Sequence, residues 1–75
     1  GQDAHVKVLK AEDIIGLKIQ AYATNPKREF KEKADIQALA EILDQKLDWN
    51  RIKEYADLFG KWDDILFLRK KISNE

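Results

Sequence analysis

The chain reads as an all-α protein, a small four-helix bundle preceded by a short extended N-terminal arm. Two apolar stripes carry this expectation: Ile36, Leu39, Ala40 and Leu43, then Ile52, Tyr55, Ala56 and Phe59, each at i, i+3, i+4 and i+7. Composition agrees. Hydrophobic residues are 44% and charged residues 37% of the 75 positions, which suits amphipathic helices with charged outer faces and argues against disorder. Three glycines and one proline leave little room for the turns of an all-β fold.

The N-terminal segment stands apart from the rest. Val6 and Val8 alternate with Lys7, the pattern of a short strand or extended arm. A lone strand cannot satisfy its ladder groups, and no later segment looks like its neighbour. Residues 1–10 are therefore expected to be an arm or a linker to an upstream domain, with Gly1-Gln2 equally readable as a cloning remnant. The first helix should run from about Ala11 to Ala23, with Glu12 and Asp13 favouring its positive end. Ile14, Ile15, Leu17, Ile19, Ala21 and Tyr22 give it a broad apolar surface. Thr24-Asn25-Pro26 should end it, because a residue before proline avoids helical dihedrals.

The second helix should span about Arg28 to Leu43, followed by a short connection, Asp44-Gln45-Lys46-Leu47. Asp48 is a plausible N-cap for the third helix, and Gly60 its expected stop. Trp62 begins a fourth helix, with Asp63 and Asp64 in its first turn and Arg69, Lys70 and Lys71 in its last. The helical domain covers residues 11–72, and residues 73–75 should fray. Trp49, Tyr55, Phe59, Trp62 and Phe67 are expected in the core rather than on a base-stacking platform.

Size and charge bound the function. A chain this short buries roughly 60–65% of its unfolded surface, and it has no cysteine to supplement its packing. That absence suits a cytoplasmic protein. Fourteen basic and fourteen acidic residues cancel, so no global field draws in nucleic acid or an anionic membrane. No apolar run approaches the roughly 18 residues of a membrane span, and a membrane partner is not expected. The basic cluster Lys27, Arg28, Lys31 and Lys33 is interrupted by Glu29 and Glu32. It reads as a solvated face sooner than an RNA contact. His5 has no ligand partners in view.

Charges on apolar faces are more informative. Lys18 lies at i+4 from Ile14 and i−3 from Ala21. Glu32 is i−4 from Ile36, and Asp35 is i−4 from Leu39. A hairpin linked by Asn25-Pro26 would bring Lys18 towards both carboxylates. Such a cluster is either an interhelical salt bridge with a snorkelling lysine stem or part of a site. In a site, an ammonium holds phosphate oxygens, and a carboxylate fixes it, binds metal or accepts a proton.

The residues resemble a known family. Glu12-Asp13-Ile14-Ile15-Gly16-Leu17-Lys18-Ile19-Gln20-Ala21 resembles the segment that begins the helical C-terminal part of AbiEii-type nucleotidyltransferases. Pro26-Lys27-Arg28 through Lys33-Ala34-Asp35-Ile36-Gln37-Ala38-Leu39 is similar to the family's next motif. Its usual form is a basic residue, a spacer, and two acidic residues three apart before an apolar pair. Leu47-Asp48-Trp49 through Phe59-Gly60 resembles the tails of small bacterial members. The likeness runs from Val6 onward.

That resemblance implies a polymerase-β-like core whose paired aspartates hold Mg²⁺. The metal activates an acceptor hydroxyl or phosphate against the α-phosphate of a nucleoside triphosphate. Lys18 would contact the triphosphate, and Asp35 would support catalysis or orient that lysine. Glu32, in support, stands where aspartate is commoner. The family's Gly-Ser and paired-aspartate motif would lie upstream of Gly1. One helical hairpin cannot clamp two metal ions, so these 75 residues alone are expected to be inactive, and their first partner is an upstream catalytic domain. Two other readings share the fold. One is an interaction module that binds an antitoxin or a second subunit through Ile15, Ile19 and Tyr22. The other is a degenerate homologue that keeps the scaffold without activity.

Overall fold

A computed structural model describes residues 10–73. The arm expected over residues 1–10 lies outside the described residues except for Lys10, which is extended. Asn74 and Glu75 of the expected frayed tail also lie outside them. The described residues form four helices and no strand. These are α1 (Ala11–Thr24), α2 (Glu29–Leu43), α3 (Trp49–Leu58) and α4 (Trp62–Ser73). Short 3₁₀ turns at Pro26–Arg28 and Asp44–Lys46 bracket α2.

Local chemistry accounts for each boundary. Thr24 extends α1 one residue past expectation, its hydroxyl donating to the carbonyls of Gln20 at 2.9 Å and Ala21 at 3.3 Å. Asn25 then turns extended ahead of Pro26, and its side-chain oxygen accepts from the Lys27 amide. Arg28 belongs to that 3₁₀ turn, so α2 starts one residue later than expected. Asp48 caps α3 as its residue type suggests, its carboxylate accepting from the Asn50 and Arg51 amides. Gly60 has φ +65°, which costs a residue without Cβ little. The Lys61 amide donates to Ala56 and the Gly60 amide to Asp57, the paired closure that releases the chain from α3. The fourth helix continues through Ser73, which was expected to fray.

Each helix packs against two others: α1 against α2 and α3, and α4 against α2 and α3. Consecutive α2 and α3 thus occupy opposite corners of the bundle. The linking segment crosses its end, anchored by buried Leu47. The centre is built from Ile15, Ile19, Ile36, Ala40, Ile52, Ala56 and Ile65, none more than 1% exposed. Tyr22, Leu47 and Leu68 complete it.

Three expectations need correction. In the second and third helices only Ile36, Ala40, Ile52 and Ala56 of the apolar stripes are buried; Leu39, Leu43, Tyr55 and Phe59 pack at its margin. Trp49 and Trp62 are also marginal, and Phe67 is 63% exposed. The helix it sits on is covered by α2 and α3, and Ile65 and Leu68 already fill the covered side. Ile15, Ile19 and Tyr22 are buried within the chain. They are not a free docking face, because α1 takes α2 and α3 as neighbours on both sides.

Candidate functional site

Lys18, Glu32 and Asp35 meet across the α1–α2 hairpin. The Lys18 ammonium donates to Asp35 Oδ2 at 3.2 Å and lies at the outer limit of bonding, 3.5 Å, from Glu32 Oε1. The short Asn25–Arg28 connection makes this possible. It folds α2 back along α1, so the second turn of α2 faces the second half of α1. The sequence spacing had placed these three residues together, and the structure does bring them together.

Arg28 joins the cluster, a role the sequence reading missed. Its guanidinium donates to Glu32 Oε2 from Nε at 3.0 Å and from Nη2 at 2.7 Å. The signal was present, since Arg28 and Glu32 are i, i+4 on consecutive turns, but it was hidden among neighbouring basic residues. Glu32 is only 3% exposed, and both its oxygens face cations. The Arg28 hydrogen bond holds its carboxyl below the usual range; burial opposes this, and the Lys18 charge reinforces it. Two cations and two carboxylates leave the cluster with no net charge, so it gives no long-range attraction to an anion, and any contact with one rests on a local donor.

The ends of the cluster differ in access. Glu32 is sealed, whereas the side chains of Lys18 and Asp35 retain 26% and 43% of their exposure. An ammonium has three donors, and two of those on Lys18 are engaged. The third is available to a phosphate or carbonyl oxygen arriving from solvent.

The rest of the basic cluster is partly consumed by its own helix. Lys33 pairs with Glu29 at 2.7 Å and with Asp64 at 3.4 Å, and its ammonium stands over the Tyr22 ring. Burial lowers the Lys33 pKa, but the two carboxylates outweigh it and hold the group protonated above its ordinary value. Tyr22 donates to Asp64 at 3.3 Å, and burial with that nearby charge pushes its hydroxyl pKa well up.

A second polar cluster joins α1 to α3. Asp13 accepts from the Tyr55 hydroxyl at 2.6 Å and from Arg51 Nε at 3.0 Å. Tyr55 first and Arg51 next hold its carboxyl below the ordinary range against the opposing effect of burial. Glu12, buried beside it, accepts from the Asp48 amide at 2.7 Å. The acidic first turn of α1, expected only to complement the helix end, also ties down the start of α3. Helical spacing carries no signal for that, because the partners are about forty residues away in sequence.

Among the described residues no group of three or more His, Asp or Glu side chains could hold a metal ion. Glu32 and Asp35 are already committed to cations, so Mg²⁺ does not fit this cluster. No described helix is long and apolar enough to cross a membrane. No family model, curated protein or solved structure matches the chain.

Proposed function

We propose that this chain is the helical C-terminal part of a nucleotidyltransferase-like protein. It contributes Lys18 and Asp35 to a nucleoside-triphosphate site completed by a metal-binding core elsewhere in the protein. The reading rests on the resemblance of three segments to AbiEii-type nucleotidyltransferases. The observation that carries it is the half-open Lys18–Asp35 pair, backed by the buried Glu32 carboxylate that Arg28 meets from the solvent side.

In this reading Lys18 binds a phosphate oxygen with its free donor. Asp35 fixes the direction of the ammonium and keeps it at the mouth of the site. Glu32, neutralised by Arg28, holds the base of the lysine head and limits its travel. The metal and its chemistry belong to the core. The chain's own residues bind, orient and balance charge.

Reading the natural coding sequence upstream of the Gly1 codon is the direct test. The reading expects roughly 100 residues or more, enough for a domain, with alternating strands, a Gly-Ser turn and two aspartates one residue apart. In that full-length protein, Lys18→Ala should reduce nucleotide transfer by at least about 100-fold, with circular dichroism unchanged. A natural chain that starts near Gly1, or full transfer activity in Lys18→Ala, overturns the reading.

A further inference from the structure

We propose that the exposed face of α4 is a self-complementary docking surface for a second copy of this chain, with Phe67 at the two-fold axis. This stands independently of the nucleotide reading. Phe67 is 63% exposed and Phe30, on α2, is 91% exposed. Both line a groove of about 320 Å³ between α2 and α4, floored by Ala34 and Leu68. Two large aromatic side chains left in water beside one groove mark a surface suited to cover.

The charge pattern says what covers it. Asp63 and Asp64 precede Phe67 by four and three residues, and Lys70 and Lys71 follow it by three and four. At helical spacing all five lie on one stripe. Two such helices packed antiparallel about Phe67 set Asp63 against Lys71 of the second copy, while Asp64 stays with Lys33 and Tyr22 of its own chain. Each Asp63–Lys71 pair lies about 6 Å along the axis from the aromatic centre. An isologous interface requires this kind of self-complementarity.

The charges are also free to act. Asp63, Lys70 and Lys71 enter no ion pair among the described residues. Lys71 lies over the Phe67 ring at 5.6 Å, at the edge of the proposed contact. The acid–aromatic–base order is peculiar to α4. Both α1 and α2 have acidic first turns but no basic last turn, and α3 has neither.

One helix face and a shallow groove bury less than a standard interface, so the dimer should be weak, with a dissociation constant of roughly 10–500 µM. Sedimentation velocity on the chain from about 10 µM to about 1 mM spans that range. The proposal expects reversible monomer–dimer exchange, with Phe67→Ser weakening it at least about tenfold while the circular dichroism spectrum stays unchanged. Asp63→Lys or Lys71→Asp alone should weaken it roughly fivefold, because each change breaks two symmetry-related pairs. An equimolar mixture of those two variants should recover association to within about threefold of wild type, because the heterodimer restores opposite charges at both ends. A chain that stays monomeric throughout overturns the proposal and leaves the groove to a different partner. Association that survives Phe67→Ser, or that the mixture fails to recover, overturns the assigned face and register.

Discussion

Glu32 is nearly sealed from solvent and still ionised, because Arg28 meets one carboxylate oxygen and Lys18 approaches the other. Its pKa lies below the free value in the folded chain, and so does that of Asp13. A carboxylate shifted this way stabilises the fold above its unfolded pKa of roughly 4. That contribution is lost as pH falls through the folded value. The urea midpoint should therefore drop between about pH 5 and pH 2. Arg28→Ala should lower the midpoint at pH 7 and flatten the acid limb, since the mutant Glu32 starts nearer its unfolded pKa. Urea melts at neutral and acid pH check this; an acid limb as steep as wild type would refute the assignment. The convergence of Lys18, Glu32 and Asp35 was legible in the sequence, because one short connection and two helical spacings determine it. The pairing of Arg28 was legible in principle and obscured by the lysines around it. Asp13 with Tyr55 was not legible, since nothing local links positions in different helices.

At the scale of elements, α1 and α3 approach closely at one point. Gly16 lies against the Tyr55 ring, and a Cβ there would stand 2.6 Å from Tyr55 Cγ. The ring cannot retreat without giving up its hydrogen bond to Asp13. Gly16→Ala gains about 1 kcal/mol of helix propensity, yet overpacking of this kind costs about 1–3 kcal/mol. The net expectation is destabilisation, read as a lower thermal midpoint. A stabilised Gly16→Ala would mean that the helices can part here without loss. The boundaries themselves were legible to within a residue or two. Asn25-Pro26, Asp48 and Gly60 act on their immediate neighbours, and local signals of that kind survive in sequence. The 3₁₀ turns were not foreseen. They take up slack where α2 must enter and leave the bundle at particular angles.

For the whole molecule, stability rests on a single small core shared by all four helices. Ile65 and Leu68 of α4 are buried in it, and Trp62 and Ile72 pack at its edge. A domain of this size has little margin, so a chain ending at Lys61 should not fold. Thermal circular dichroism should lose its cooperative transition; a sharp melt in the truncated chain would show that α1–α3 suffice. The same four-helix arrangement decides which surface is free. It buries Ile15, Ile19 and Tyr22 between α1 and its neighbours and leaves Phe30 and Phe67 outside. The proposed second copy accordingly meets the α2–α4 side and not the Ile15–Ile19–Tyr22 face of α1.

The sequence by itself determined the helical class, the four helices and their ends, and the meeting of Lys18 with Glu32 and Asp35. Each of these depends on hydrogen bonds and spacings within a few residues, or on one tight connection. Only the tertiary structure decided that α2 and α3 stand at opposite corners, that Glu12 and Asp13 serve α3, and that Phe67 faces water. The physical reason is that helical periodicity says which residues share a face. Which face is covered depends on residues far along the chain competing for one small interior. Once Ile65 and Leu68 had filled the side of α4 turned to its neighbours, Phe67 could only point outward.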